Sequence, residues 1–251
     1  MSRFIYDEED VKGLKIIKPL DVIIKRNFNH EYTTHDIVKV LSDLATQKYD
    51  EGSLERRFDQ IAIPLLRQCK IVTLNGTFNI REFEIYFYDK EKHPDLYANS
   101  DQRRLTFGEW NFLNFIDIQS FLKSNENGIE ITFGNEEKGI YGGILIKTIE
   151  NVSTGKLIVE YNNVVKELIE NIGKENIRHY ALGKGQFAFD KQHPFHLVVS
   201  NANFSKSIFK TQRVGLKFKN EEKANQFYKA PYCYFNHDLN ITSIIEVRPG
   251  I

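Results

Sequence analysis

Cysteine and long apolar runs are both scarce in this chain of 251 residues. Cys69 and Cys233 are the only cysteines and lie far apart, which argues against a disulfide framework or a structural zinc site. No apolar run reaches the roughly 18 residues that a membrane-spanning helix requires. The first residues are acidic, where a secretory signal would be basic and then apolar. These absences predict a soluble intracellular protein with no membrane partner.

Sequence motifs for common cofactors are also missing. No dinucleotide-binding glycine fingerprint follows a strand, and neither a P-loop nor an HExxH motif occurs. His193 and His196, in the sequence HPFH, could hold a metal. No further ligands cluster near them, so ordinary loop or strand histidines are favoured, and the residues indicate no metal site.

Net charge is absent as well, because 34 basic and 34 acidic residues balance. This argues mildly against a partner that is bound by bulk electrostatics. The distribution is uneven, since residues 176–251 carry eleven Lys and Arg against five Asp and Glu. A basic C-terminal third can supply phosphate contacts, although a solvated lysine-rich surface explains the charge equally well.

Apolar and aromatic residues are plentiful, at 41% and 13% of the chain, so a sizeable core is expected. The length suits one large domain, or one domain with an accessory segment. Helical patterns come first and strand-like runs follow. We therefore predict an α+β fold, with a helical N-terminal part followed by a mixed, mainly antiparallel β-sheet domain. Residues 1–50 are expected to form a helical extension and residues 51–251 the main domain.

Two helices are predicted before the first strand. Thr33 or Thr34 can cap the first, whose apolar residues recur at helical spacing. These residues are Ile37, Val40, Leu41 and Leu44. Ser53 can cap the second helix, and Pro64 is expected to break or restart it. A further short helix is predicted over residues 161–172.

A β-hairpin is predicted around Asn75 and Gly76, because an Asn-Gly pair between two apolar, β-branched runs is a strong hairpin signal. Residues 128–135 and 141–150 are expected to form two strands around a polar turn. Shorter strand-like runs follow at residues 195–200, 207–211, 213–219 and 227–238.

The second arm of this hairpin carries two acids among large hydrophobic residues. Glu82 and Glu84 are two residues apart and share one face of a strand with Tyr86 and Tyr88. Such a face is either exposed to solvent or part of a functional site. Composition alone favours a solvated strand acid over a catalytic one.

Five segments between Phe58 and Phe235 resemble, in order, the alkyladenine (3-methyladenine) DNA glycosylase family. They are RFDQIAIPLLRQCKIV, LNGTFNIREFEIYFY, WNFLNF, GGILIKTIE, and RVGLKFK with YKAPYCYF. The second segment contains the family's Glu-x-Glu-x-Tyr pattern, and His93 stands near the place of the family's histidine. Phenylalanines replace tyrosines in the third segment, and Glu130 is nearest to the place of a family asparagine. The first 50 residues match no part of the family.

The resemblance implies a glycosylase-like catalytic domain over residues 51–251. It would flip out alkylated purines and excise them from DNA by hydrolysis of the N-glycosidic bond, without metal or cofactor. Glu84 would be the catalytic carboxylate, and Phe115 would be the wedge that fills the gap in the duplex. The implied base-binding residues are Tyr86, His93 and Phe112, and the implied DNA-binding residues are Lys147 and Arg213. The spacing of Phe115, however, favours a core position.

The implied partner is double-stranded DNA, bound by a monomer that is cytoplasmic and nucleoid-associated, or nuclear. Two alternatives remain open. The first is a catalytically inactive glycosylase-like module that binds nucleic acid or another protein, which neutral charge fits somewhat better. The second is an unrelated globular protein. An acid at position 84 favours the enzyme, because a pure binder has no need of a carboxylate beside a flipped base.

Overall fold

The structure, a computed structural model, describes five stretches of the chain. These are residues 31–124, 126–183, 187–200, 208–216 and 226–236. Within them the fold is α+β, with helices and an antiparallel sheet. Residues 1–30 of the expected N-terminal extension lie outside the described residues. Among the helices that are described, none has both the length and the apolar character needed to span a bilayer.

One sheet contains all of the described strands, and every pairing in it is antiparallel. The strands are β1 (Cys69–Val72), β2 (Thr77–Tyr88), β3 (Phe107–Leu113), β4 (Gly128–Phe133), β5 (Tyr141–Asn151), β6 (Leu157–Val159), β7 (His196–Val199), β8 (Phe209–Thr211) and β9 (Cys233–Phe235). The main order is β3-β4-β5-β2-β1-β7. β6 pairs with β5, β9 with β2, and β8 with β9.

Five α-helices lie wholly within the described ranges and accompany the sheet. They are α1 (Thr34–Ala45), α2 (Leu54–Arg67), α3 (Ile118–Lys123), α4 (Tyr161–Ile172) and α5 (Lys174–Leu182). The predicted α4 is confirmed, whereas the sequence analysis predicts none of β3, α3, α5 and β6. Of the predicted strand over 213–219, the described residues 213–216 are not in a strand, and 217–219 lie outside the described residues.

The helix α1 begins and packs as its sequence predicts. Thr33 and Asp36 form a reciprocal capping box, in which the side chain of each residue accepts a hydrogen bond from the backbone amide of the other. Ile37, Leu41 and Leu44 are buried. Because α1 contacts α2 and β4, these side chains join the same hydrophobic cluster as the sheet.

The helix α2 differs from its prediction in two ways. The Ser53 hydroxyl does not cap it, because that hydroxyl donates to the backbone carbonyl of Asp50 in a preceding 3₁₀ turn (Glu51–Ser53). Pro64 does not interrupt the helix but lies buried in its last turn. A proline there forfeits one hydrogen bond. Burial of α2 against β1 and β2 compensates for that loss.

The predicted hairpin is confirmed. β1 and β2 pair directly, with Lys70 opposite Asn79 and Val72 opposite Thr77. The Thr73 amide donates to the Gly76 carbonyl at 2.9 Å, which closes the turn. Glu84 therefore lies on the second arm of a hairpin, as predicted.

One face of the sheet is apolar and covered by helices. Across four neighbouring strands the facing residues are Ile85, Ile144, Ile131 and Trp110. Phe58 of α2 packs edge-on against Phe87 of β2, with ring centroids 6.0 Å apart. At the other end, Phe195 stacks on Trp110 and contacts Tyr180 of α5. The main core thus lies between the sheet and these helices.

The opposite face carries a polar row across the same four strands. Its facing residues are Glu84, Leu145, Glu130 and Asn111. Side chains two residues apart in a strand share a face, so Tyr86 lies beside Glu84. Residues 95–104, together with Arg213 and Val214, supply side chains and backbone groups that cover this face. The candidate site is built there.

Candidate functional site

The carboxylate of Glu84 is completely buried and receives three hydrogen bonds. The Tyr86 hydroxyl donates to its Oε2 at 2.8 Å. The Lys147 ammonium and the Val214 amide both donate to its Oε1, at 3.2 and 2.8 Å. The polar face of the hairpin is therefore shielded from solvent at Glu84, and the Glu84 carboxylate is held in one orientation.

A sheet irregularity brings Lys147 to this acid. Between Glu82 and Phe83 the register shifts, so that β5 has one residue more than β2. Extra residues of this kind redirect a side chain. Burial by itself lowers the pKa of Lys147, but Glu84 and the other acidic neighbours outweigh burial and hold this pKa above its usual value. Lys147 is therefore a buried ammonium ion paired with Glu84.

The ring of Tyr86 is flanked by two guanidinium groups. The guanidinium carbons of Arg104 and Arg213 lie 4.2 and 4.8 Å from the ring centroid. Burial, together with the charge of Glu84, raises the pKa of Tyr86 well above its usual value. The phenol therefore keeps its proton and donates a hydrogen bond to Glu84.

Arg104 is anchored by a second buried acid, Glu130. Two guanidinium nitrogens of Arg104 donate to the two oxygens of Glu130, and Asn111 donates to Oε2 of the same carboxylate at 3.2 Å. Gly143 makes room for this pair, because an added Cβ there would lie 2.9 Å from both Arg104 Nε and Glu130 Oε2. A glycine within a strand is a known sign of close approach.

Arg213 forms the third buried ion pair of the cluster, with Asp95. The two groups are 2.7 Å apart, and neither side chain is exposed. Arg213 also donates to the backbone carbonyls of Ile85 and Phe227. Arg213 therefore links Ile85 of β2 to a segment that lies 128 residues later in the chain.

Three buried ion pairs thus lie together in one cluster, with the buried Glu82 beside Lys147. The pairs are Glu84 with Lys147, Glu130 with Arg104, and Asp95 with Arg213. Each of these six residues, and Tyr86, is less than a tenth exposed. The structure therefore describes a candidate site that is closed to solvent. Lys147 and Arg213, which the sequence assigns to DNA contact, are paired inside it.

The expected base-binding residue His93 lies beside the cluster. Its ring packs against Phe227 with centroids 4.6 Å apart, and also against Phe58, Phe87 and Tyr232. Burial, and then the charge of Arg213, lowers the pKa of His93 from 6.5 to about 3. His93 is thus a neutral aromatic residue at physiological pH, next to Arg213 but in a different ring cluster from Tyr86.

Phe112 and Phe115 lie on the helix-covered side of the sheet. Phe112 is buried and packs against Phe121 and Phe195, so its ring is on the opposite face from Glu84. Phe115 is half-buried and packs against Phe112 and Phe121. The adjacent Ile116 is 80% exposed. Within the β3–α3 turn the freely exposed apolar side chain is therefore Ile116 rather than Phe115.

The HPFH histidines take part in local contacts. His193 Nε2 lies 3.6 Å from Asp190 Oδ2, and His196 Nδ1 lies 2.5 Å from the backbone carbonyl of His193. Within the described ranges, no group of three or more His, Cys, Asp or Glu residues is arranged to hold a metal ion.

Sequence reasoning missed three members of the cluster as site residues. The sequence analysis names Glu130 only as the residue nearest to the place of a family asparagine, and it does not single out Arg104 or Asp95. One signal was present, since consecutive glycines at 142 and 143 interrupt a strong strand pattern. Such glycines predict that a bulky group approaches the strand closely.

Comparison with known proteins adds one relative. The chain is 26% identical to an uncharacterized protein of Acanthamoeba polyphaga mimivirus over 191 residues, which cover 72% of this chain and 86% of the viral protein. No protein-family model matches the chain.

Proposed function

We propose that this protein is a DNA glycosylase with a fold of the alkyladenine-glycosylase type. It would flip a damaged, alkylated purine out of duplex DNA and hydrolyse its N-glycosidic bond. One observation supports this proposal: four residues singled out by the family resemblance lie together, although they come from three distant parts of the chain. Tyr86 and Lys147 donate to the Glu84 carboxylate, and the Arg213 guanidinium lies over the Tyr86 ring.

The chemistry needs a carboxylate beside the sugar. As the bond between C1′ and the base breaks, its electron pair leaves with the base and positive charge develops on the sugar. The Glu84 carboxylate stabilises that charge and accepts a proton from the water that attacks C1′. The products are a free base and an abasic sugar. Acid–base help of this kind contributes about 10²–10⁴-fold in rate.

The base would stack on Tyr86. Stacking on an aromatic side chain contributes about 1–3 kcal/mol per base, and a cationic alkylated purine gains further attraction from the electron-rich ring. The two guanidinium groups that now flank this ring support the assignment, because they are planar cations of the kind that the ring would bind. Lys147 would hold the Glu84 carboxylate in position while the base is bound.

Base release from methylated duplex DNA, measured in the presence of a metal chelator, tests this proposal. Wild-type protein is expected to release methylated purines, and Glu84→Gln is expected to bind the duplex but to release at least 100-fold fewer bases per unit time. Glu137→Gln is the matched control, because Glu137 is exposed and distant in the sequence. Equal release by wild type and Glu84→Gln would refute the catalytic assignment.

A second candidate is a glycosylase-like module without catalytic activity, which binds nucleic acid or another protein. The complete burial of Glu84 and its pairing with Lys147 favour it, because a purely structural ion pair has the same features. This candidate predicts duplex binding without base release, and binding that is equal for methylated and unmodified DNA.

A further inference from the structure

We propose that Arg213 and Val214 form a plug that closes this site, with Arg213 in the place of the flipped base and Val214 in the place of the attacking water. This inference rests on the proposed function. In the structure nothing can reach Glu84 from solvent, because Glu84, Arg213 and Asp95 are all fully buried. Catalysis therefore requires that part of the cover moves.

Arg213 resembles the expected substrate in shape and charge. Its guanidinium is a planar, delocalised cation that lies over the Tyr86 ring at 4.8 Å. Asp95 neutralises it at 2.7 Å. An alkylated purine cation that replaced Arg213 would meet the same ring and the same carboxylate.

Arg104 also lies over Tyr86 but is the less displaceable of the two cations. Its partner, Glu130, belongs to β4, which pairs on both sides within the sheet. Arg213 follows the short strand β8, whose pairing in the described residues is with β9 alone, over three residue pairs. Short edge strands separate from a sheet more readily than central strands.

Val214 covers the catalytic carboxylate itself. Its amide donates to Glu84 Oε1 at 2.8 Å, and Lys147 donates to the same oxygen. The Tyr86 hydroxyl occupies the other oxygen. These three hydrogen bonds take three of the roughly four acceptor positions of a carboxylate. When this segment moves, the Val214 amide leaves together with Arg213 and frees a position for water on Oε1.

A reversible disulfide can lock the plug in place. Thr211 in β8 lies directly opposite the native Cys233 in β9. Facing residues of antiparallel strands have Cα atoms about 4.5–5.5 Å apart, within the disulfide range of about 4.4–6.8 Å. Thr211→Cys should therefore form a disulfide with Cys233. It would hold Arg213, two residues further on, within about 7 Å of the lock.

The experiment compares Thr211→Cys, oxidised and reduced, with Thr211→Ser under both conditions. We expect oxidation to lower base release from methylated duplex at least 10-fold and reduction to restore it, with Thr211→Ser unaffected. Release that is equal in the oxidised and reduced forms would overturn the plug while leaving the glycosylase intact. If the two thiols do not join, the β8–β9 pairing on which the plug depends is wrong.

Hydrogen exchange tests the plug even if no base is released. The Val214 amide should exchange at least 100-fold faster than the Ile144 amide in the central strand β5, because opening is local. Oxidised Thr211→Cys should slow exchange at Val214 and leave Ile144 unchanged. Exchange of both amides at the same slow rate would show that this segment opens only when the whole protein unfolds, which would refute the plug. Absence of base release alone would refute only the proposed function.

Discussion

The buried pair of Glu84 and Lys147 allows a catalytic role to be separated from a structural one. At 3.2 Å and an effective dielectric constant near 20, their Coulomb attraction is about 5 kcal/mol. Much of this attraction offsets the cost of removing both ions from water. Removal of one partner leaves the other buried without a counter-charge, which typically costs about 3–5 kcal/mol.

We therefore expect Glu84→Gln and Lys147→Met each to lower the free energy of unfolding by about 3–5 kcal/mol, with the Gln variant at the low end because its amide can still hydrogen-bond. The double variant should lie within about 2 kcal/mol of wild type, because replacing both partners of a buried pair is often nearly neutral. Lys39→Met is the exposed control, since Lys39 pairs with Asp43 at the surface. It should cost about 0–1 kcal/mol.

Urea denaturation, followed by the fluorescence of the single tryptophan, measures these changes. Trp110 is buried in the core, so its emission reports the global transition. If the double variant loses the sum of the two single losses, Glu84 and Lys147 are not coupled and the ion-pair reasoning is wrong. If the double variant is folded and still releases bases at the wild-type rate, Glu84 is structural and not catalytic.

Three further predictions concern positions around the site. The native pKa of His93, about 3, lies below its unfolded value of 6.5, so the unfolded chain binds this proton first as pH falls and wild type loses stability below pH 6.5. Between pH 6.5 and 4.5 the free energy of unfolding should fall by about 2–3 kcal/mol more in wild type than in His93→Phe, as measured by denaturant titration. An equal fall in both proteins would contradict the assigned burial of His93. Gly143→Ala should lower the free energy of unfolding by about 1–3 kcal/mol, because its added Cβ would press on the Arg104–Glu130 pair. Gly52→Ala, whose added Cβ has nothing within 4 Å, should leave the melting temperature nearly unchanged. Phe115→Ala should lower the melting temperature, and Ile116→Ala should leave it unchanged but weaken base release from duplex more than from single strands. A melt of Phe115→Ala identical to wild type would restore that residue as the wedge.

Local patterns of the sequence determined the elements. The capping box and the apolar spacing of α1, the Asn-Gly turn, and the alternation along β2 each depend on residues only a few positions apart. These features fix backbone hydrogen bonds and the faces of helices and strands, so they can be interpreted without knowledge of the rest of the chain. Pro64 shows the limit of such reasoning, because burial of α2 against β1 and β2 decided that the helix continues.

Only the tertiary structure decided that the acidic face of β2 is closed. Lys147 reaches Glu84 through a register shift between two strands, and Val214 reaches it from 130 residues away. The sequence could mark Glu84 and Tyr86 as neighbours, since strand alternation is local. It could not show that Arg104 and Arg213 flank Tyr86, because charge pairing inside a protein depends on which distant groups share one desolvated volume.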